Sequence, residues 1–490
     1  MAPYEEILFR KGTVENVLTA LNKGFDLKAR DTRGNTALII AIENNRSDIV
    51  SLLLSKKADP NLPNKDGYTP LMAAAHQGNL QIVKILVENN VKVKLMDKYK
   101  MNALMYAALK KNNVEIIKLL IAIGCPINAR TKYGWTALMW ACEYGFFSNA
   151  IALIDAGADV NIKNFENNTA LLSIAKSGGL EVAEKLVQKG AHLSIRNKNG
   201  ETPLSVAVYY GRPLIAKFLI EKGADITYRY KQKQTYLMWS AIRGHYDIAL
   251  ILVKKGANIN DVDADGNTAL HHAAQLGRTE IVDLLLRQGT DIEKRNYNEA
   301  TPLLLSAENG HDETTNLLLR RGANVNAKNS SGHTALYFTC ALALNTRLLE
   351  LLIRKGSKVN EKDNQGYTPL MVVAKKGEQN FVKTLLDFRA EINEKNHNGL
   401  TALMIAIANN HENISDYLIS RGANIHLTNN ELGNALHVAV KSELTDIVKL
   451  LVKKGANVNA KNKNGQTPLG LAENLNKQEL IEYLKTVTRE

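Results

Sequence analysis

Long apolar runs are missing from this chain. No stretch of its 490 residues approaches the roughly 18–20 apolar residues of a bilayer-spanning helix. The opening MAPYEEILFRKG has no apolar core of the secretory kind, so a cytoplasmic location is expected. Cysteine is scarce too. Cys125, Cys142 and Cys340 are too few and too scattered for a disulfide framework or a thiolate metal cage. As buried free thiols they suit a reducing compartment. The chain holds no G-x-x-x-x-G-K-[ST], no G-x-G-x-x-G after a strand, no H-E-x-x-H and no C-x-x-C. What remains is 45% hydrophobic and 23% charged, the composition of a folded chain rather than a disordered one.

Aromatic residues make up only 6% of the chain, yet KYGWTALMWACEYGFF (132–147) is crowded with them, including Trp135 and Trp140. Such a stretch is a site, a core or a contact surface according to the pattern it belongs to. That pattern is a repeat. Words of the form TPL or TAL open at Thr36, Thr69, Thr136, Thr169, Thr202, Thr268, Thr301, Thr334, Thr368, Thr401 and Thr467. Thr235 opens TYL, and Asn102 and Asn434 open NAL, which makes fourteen units spaced by 33 residues, twice by 34. Residues 1–30 align as one more, with Gly12 and Gly24 in register.

Each unit reads as two helices and a loop. Thr or Asn is a helix N-cap, its side-chain oxygen accepting a free N–H of the first turn. Proline follows at Pro70, Pro203, Pro302, Pro369 and Pro468, where a missing N–H is harmless. Apolar residues then recur at helical spacing, as in Leu270, Ala273 and Ala274. A turn residue such as Gly78, Gly145, Gly211 or Gly244 closes the first helix, and a second helix such as EIVDLLLRQ (280–288) follows. It ends at a glycine, for example Gly157, Gly256 or Gly455, before a polar, hairpin-like loop. The two extra residues fall near Lys111 and Ala343, where the turn glycine is absent, and local absorption is expected.

These words resemble the ankyrin repeat family, whose motif D-x-x-G-x-T-P-L-H-x-A-A is matched by DADGNTALHHAAQLGRTEIVDLLLRQGTDI (263–292) and by KNKNGQTPL (461–469). The resemblance covers essentially the whole chain. It implies an all-α solenoid of stacked helix-turn-helix units joined by β-hairpin-like loops. One domain is expected over 1–490, with caps at 1–30 and 461–490 and internal repeats at 31–460. It also implies a non-catalytic scaffold that binds other proteins in a concave groove, without cofactor or metal, as a monomer. One departure stands out. Met replaces the motif His at Met72, Met105, Met139, Met238, Met371 and Met404, and only His271 and His437 keep it. In the family this His supports the loop by hydrogen bonds, so the Met loops are expected to be held less firmly.

Other patterns carry less. DVDADG (261–266) opens like a calcium loop, but the twelfth position, which needs a bidentate Glu, is His272. His271 and His272 are adjacent on a helix and point about 100° apart, too far to chelate one ion. An enzyme is not expected.

The repeat register sorts the aromatic residues. The slot of Trp135 elsewhere holds Asn35, Glu201, Asn267 and Gln466, and that of Tyr144 holds Gln77, Ser177 and Arg243, so both are read as surface. Trp140 shares its slot with Ile40, Ala73 and Tyr106 and is read as half buried, and Phe147 as packing. Residues 96–250 carry 17 of the 29 aromatics. In groove-type slots stand Tyr99, Met101, Tyr133, Trp135, Tyr144, Phe165, Tyr209 and Tyr210, with Arg229 and Tyr230 nearby. Binding hot spots favour such residues. Residues 51–250 hold 26 Lys or Arg against 15 Asp or Glu, a net +11 within a total of +13. The expected partner is a protein or peptide with an acidic surface, held in repeats about 3–7. The rival expectation is an electrostatic binder of nucleic acid or acidic membrane through the basic 51–250 segment, with bases stacking on the aromatics.

Overall fold

The computed structural model describes residues 3–343, 345–431 and 433–488, and among them are thirty α-helices and no strand. Residues 1, 2, 489 and 490, at the ends of the two expected caps, lie outside the described residues. Contacts divide the chain into two compact units, Met1–Tyr230 and Lys231–Glu490. The first unit stacks helix pairs from Pro3–Lys11 and Val14–Asn22 to Pro203–Tyr209 and Pro213–Glu221. The second runs from Tyr236–Arg243 and Tyr246–Lys254 to Pro468–Asn474 and Gln478–Val487. No described helix is long and apolar enough to cross a membrane.

Capping sets where the first helices begin. Of the fourteen Thr or Asn caps, thirteen accept a hydrogen bond from the backbone N–H three residues on, as Thr136 does from Met139 at 3.2 Å. Thr169 is the exception, and its buried hydroxyl has no partner. The first helices are almost wholly buried: Ala37–Ile42 and Pro70–Ala75 are buried at every position. Their many alanines let them approach one another more closely than the second helices do. The second helices contribute a column of leucines in one slot. Leu53, Leu86, Leu120, Leu153, Leu186 and Leu219 of the first unit all have no exposed surface. Burying one such side chain is worth about 1.5–3 kcal/mol, so this column is a main source of cohesion between repeats.

The loops are stitched by polar groups. In most of them an Asp or Asn accepts from the N–H groups two and four residues on, which bends the loop into a tip. One backbone bond then links most tips to the preceding one, such as Lys132 N–H to Tyr99 C=O at 2.8 Å and Phe165 N–H to Tyr133 C=O at 3.1 Å. The loop before Thr235 departs from this pattern: Tyr230 holds the Asp/Asn slot, and Lys233, at φ 60°, holds the slot that is usually Gly.

Both extra residues are absorbed at the turn between the two helices. At the first, the helix Ala103–Ala108 is short, and its freed carbonyls are met by buried asparagines. Asn113 Nδ2 donates to Ala107 C=O at 3.1 Å, and Asn149 Nδ2 donates to Lys110 C=O at 2.7 Å. At the second, Ala343 takes a left-handed conformation, φ 50°.

Candidate partner-binding surface

Three consecutive loop tips carry aromatics. Asp97 Oδ1 accepts from the N–H groups of Tyr99 and Met101, both at 2.8 Å. Thr131 Oγ1 does the same for Tyr133 and Trp135, at 3.2 and 3.1 Å. Asn164 Oδ1 serves Glu166 and Asn168, both at 2.9 Å. These turns push Tyr99, Tyr133 and Phe165 outward, with 39%, 59% and 56% of their surface exposed. Gly134, at φ 82°, lets the second tip turn, and a Cβ there would lie 3.0 Å from Asn164 Cα. Met101 is half buried at the foot of the first tip.

Behind the second tip the opening stretch becomes a stack of rings. Trp135 lies 4.5 Å from Trp140 and 20° from parallel, Trp140 lies 5.9 Å from Tyr144 at 25°, and Tyr144 lies 6.0 Å from Phe146 at 18°. Positions 140 and 144 are one helical turn apart, so the stack follows one face of the first helix, Ala137–Glu143. Tyr144 is exposed and Trp140 half buried, as the register indicates. Two positions differ from expectation. Trp135 is half buried, not exposed: its slot is buried or half buried in every repeat, and here the ring also lies on Trp140. Phe147 is 38% exposed, not packed away. It rests over Gly179, where a Cβ would come within 2.6 Å of its ring.

The strip extends on both sides within the first unit. Toward the N-terminus, Tyr68 and Tyr106 meet edge to face at 5.0 Å, and Tyr106 Oη donates to Asp97 Oδ2 at 2.7 Å. His76 lies 5.6 Å from Tyr106, and burial together with the charge of Lys110 holds its pKa below the ordinary value. Burial pushes both phenols above their usual range, for Tyr106 with the help of Asp97. Sequence reasoning left out Tyr68, Tyr106, His76 and Phe146. Tyr106 could have been found, because it occupies the slot of Trp140. Toward the C-terminus, Tyr209 and Tyr210 meet edge to face at 5.1 Å, 40% and 44% exposed. Arg229 is exposed and Tyr230 half buried beside the tip at Gly200, and burial raises the Tyr230 phenol.

Cations cover many of these rings. Lys132 Nζ lies 4.4 Å from the Tyr99 centroid and 4.9 Å from that of Tyr133. Arg130 sits over Phe165 at 5.8 Å, Lys176 over Tyr210 at 5.9 Å and Arg196 over Tyr228 at 4.3 Å. Lys176 is also ion-paired to Glu143.

The groups that could do chemistry are engaged elsewhere. Among the described residues no three His, Cys, Asp or Glu gather where a metal could be held. Asp263, in the loop that resembles a calcium site, accepts from the N–H groups of Asp265 and Asn267, and its other oxygen lies 2.8 Å from His272 Nε2. All three cysteines are buried, and burial pushes the Cys125 thiol up to about 11.

Comparison with known proteins agrees with this architecture. The family model described as ankyrin repeats matches residues 8–97, 90–164, 153–230, 227–296, 289–363, 339–429 and 422–488. The chain is similar to an ankyrin repeat protein of fowlpox virus (strain NVSL), 35% identical over 79 residues, 16% of this chain and 18% of the relative. It is also similar to the 2-5A-dependent ribonuclease of Mus musculus, 46% identical over 69 residues, 14% of this chain and 9% of the relative. A third relative is the protein phosphatase 1 regulatory subunit 12A of Mus musculus, 39% identical over 70 residues, 14% of this chain and 7% of the relative. The chain thus spans less than a fifth of the length of each of these relatives. With family matches running from residue 8 to residue 488, the chain belongs to the ankyrin repeat family, whose repeats serve generally as protein–protein interaction modules.

Proposed function

We propose that this chain is a non-catalytic scaffold that holds a partner protein or peptide with an acidic surface against the first-helix and loop-tip face of residues 96–230. The observation that carries the reading is the ring stack Trp135–Trp140–Tyr144–Phe146 beside the exposed tips Tyr99, Tyr133 and Phe165. An aromatic ring is negative on its face and positive at its edge. In this stack the faces of Trp140 and Tyr144 are turned to neighbouring rings, and lysines and arginines lie over the rings of the adjoining tips. Such a surface suits carboxylates. It suits unpaired bases less well, because base stacking needs free faces. One similar protein is named as a regulatory subunit of a phosphatase, a title that implies work done through another protein.

The test is affinity capture from lysate at moderate and high salt. Wild type runs beside the variant Tyr133→Ala, Trp135→Ala, Tyr144→Ala, Tyr210→Ala, with circular dichroism to confirm that the variant folds. A protein kept at high salt by wild type and lost by the folded variant is the expected result. Capture unchanged by the variant overturns the placement. Nucleic acid or lipid released by salt supports the electrostatic rival.

A further inference from the structure

Six lysines occupy one slot of the loop tips, four residues before the cap; Lys231 stands in the irregular loop before Thr235, and the other five differ in what neutralises them. Lys98 Nζ is 2.6 Å from Asp66, Lys198 is 3.7 Å from Glu166, and Lys463 is 3.7 Å from Glu431. In each pair the acid stands on the preceding tip, three residues before its cap. Lys65 follows a tip with Arg33 in that slot, and it donates to the Thr32 carbonyl at 3.1 Å. Lys132 is the odd one. The acid slot before it holds Tyr99, and its ammonium lies between two rings, 4.4 Å from Tyr99 and 4.9 Å from Tyr133. Neither a carboxylate nor a carbonyl among the described residues takes its charge. The ring faces attract the cation but carry no net charge, so they position it without neutralising it.

We infer that Lys132, clamped between Tyr99 and Tyr133, is the point at which this surface takes a carboxylate of an acidic polypeptide segment. Tyr99 stands where the preceding tip has Asp66, and this leaves a positioned, exposed ammonium on the tip. Further cations flank it. Arg130 and Lys163 line an open cleft with Phe165 one tip further on, so a second carboxylate of an extended segment has a site beside the first. Preorganisation reduces the side-chain entropy that a flexible surface lysine otherwise loses on binding. The inference rests on the groove reading above and adds to it the residue that reads charge.

The experiment uses the full chain and a short fluorescein-labelled peptide of alternating glutamate and serine, followed by fluorescence anisotropy. Its comparators are the glutamine version of the peptide, labelled oligothymidine and phosphatidylserine vesicles. Four proteins are compared: wild type, Lys132→Met, Tyr99→Asp and Lys84→Met. The Tyr99→Asp change rebuilds the pairing that Asp66 and Lys98 already form, so its tip has a precedent for folding. Lys84→Met removes the same charge from an exposed position on an outer helix.

The glutamate peptide is expected to bind wild type and the glutamine peptide not to. Lys132→Met and Tyr99→Asp should each weaken binding about tenfold, the scale of one charge-assisted contact, and Lys84→Met less than about twofold. Equal losses for Lys132→Met and Lys84→Met mean a general field, and overturn the inference while leaving the groove reading intact. No binding of the glutamate peptide, or tighter binding of oligothymidine or vesicles, overturns it as well. The groove reading itself is decided separately, by the capture variant, which leaves Lys132 in place.

Discussion

His271 offers a test of how the loops are held. Its side chain has no exposed surface. Nδ1 lies 3.2 Å from the Thr268 backbone N–H, which can only donate, so Nδ1 accepts and Nε2 carries the proton. Nε2 then donates across the repeat to the Ala300 carbonyl at 3.2 Å. The neutral ring is fully satisfied, whereas a second proton would face the Thr268 N–H. Burial, with a smaller push from His272 and opposing pulls from the Ala300 carbonyl and Asp263, lowers the pKa to about 4. Its unfolded value is about 6.5. Between those values the unfolded state binds the proton and the folded state does not, so stability falls as pH drops through 6.5 and levels off below about 4. At pH 5 the loss relative to neutral pH is about 2 kcal/mol. Methionine stands in this slot in six other repeats, and Met72 Sδ accepts only from its own Thr69 N–H, at 3.4 Å. His271→Met therefore removes the bond to Ala300, a cost of about 1 kcal/mol at pH 7.5. It also removes the titration. The variant should be less stable than wild type at pH 7.5 and more stable at pH 5, by about 1 kcal/mol each way. The contribution of His437 is the same in both proteins and cancels. Urea melts and hydrogen exchange of the 268–300 segment at the two pH values measure the crossover. A difference between the proteins that does not change with pH would refute the reasoning.

Thr136→Val should cost about 1 kcal/mol in urea melts, because a cap bond is lost, while Thr169→Val should cost almost nothing, its hydroxyl being buried without a partner. Equal costs would contradict the capping account. Asn149→Leu should cost about 2 kcal/mol or more, since it leaves the Lys110 carbonyl and the Asn113 N–H without their partner. Faster hydrogen exchange confined to residues 109–114 is the expected signature, and unchanged exchange there would count against it. Gly134→Ala forces a left-handed φ on alanine and brings Cβ to 3.0 Å from the Asn164 backbone. It should cost about 1–2 kcal/mol in thermal melts and move Phe165, and an unaltered melt would show that the tip yields.

Regularity made the helix pairs legible. A Thr or Asn at a fixed interval names its own helix start, and thirteen of fourteen caps form because the backbone leaves the same donor free each time. Surface and interior could be separated by comparing residues in one slot, which is why Tyr133, Tyr144 and Trp140 fall as the register indicates. Residue type misleads where polarity is taken for exposure, or where too few repeats are compared. Trp135 shares its slot with Asn, Glu and Gln, yet that slot is buried or half buried in every repeat, so polar neighbours in register did not mean exposure. Phe147 shares its slot with Leu80 and Leu180, but Ser47, Thr279, Asp312 and Gln379 stand there too, and the ring is exposed as most of that slot's polar residues imply. The Met-for-His exchange was legible as a lost bond, since Met72 reaches its own cap and His271 reaches the next repeat. The insertion near Lys111 was legible as a place, but the asparagines that repair it come from 113 and 149, and only the fold brings these together.

The net charge of +13 overstates what a partner meets. One loop slot, six residues before the cap, is basic in most repeats for a structural reason. Arg130 donates to the Lys163 carbonyl at 2.8 Å, Lys328 to that of Lys362 at 3.0 Å, and Lys362 to that of Lys395 at 3.0 Å. These cations tie one loop to the next whatever the partner. Their compensation differs between the units. In the second unit Lys328 also pairs with Glu361 at 2.7 Å, and Lys362 with Glu394 at 2.5 Å. The matching slot one repeat on from Arg130, Lys163 and Arg196 holds Ile162, Ile195 and Tyr228, so these cations have no acid there. The basic surplus of residues 51–250 is therefore concentrated at the loop edge, in the same loops that carry Tyr99, Tyr133 and Phe165. A field confined to an edge and interleaved with rings favours carboxylates on a chain that also packs against aromatics. Binding of that kind should lose affinity with salt far less steeply than a row of phosphate contacts would.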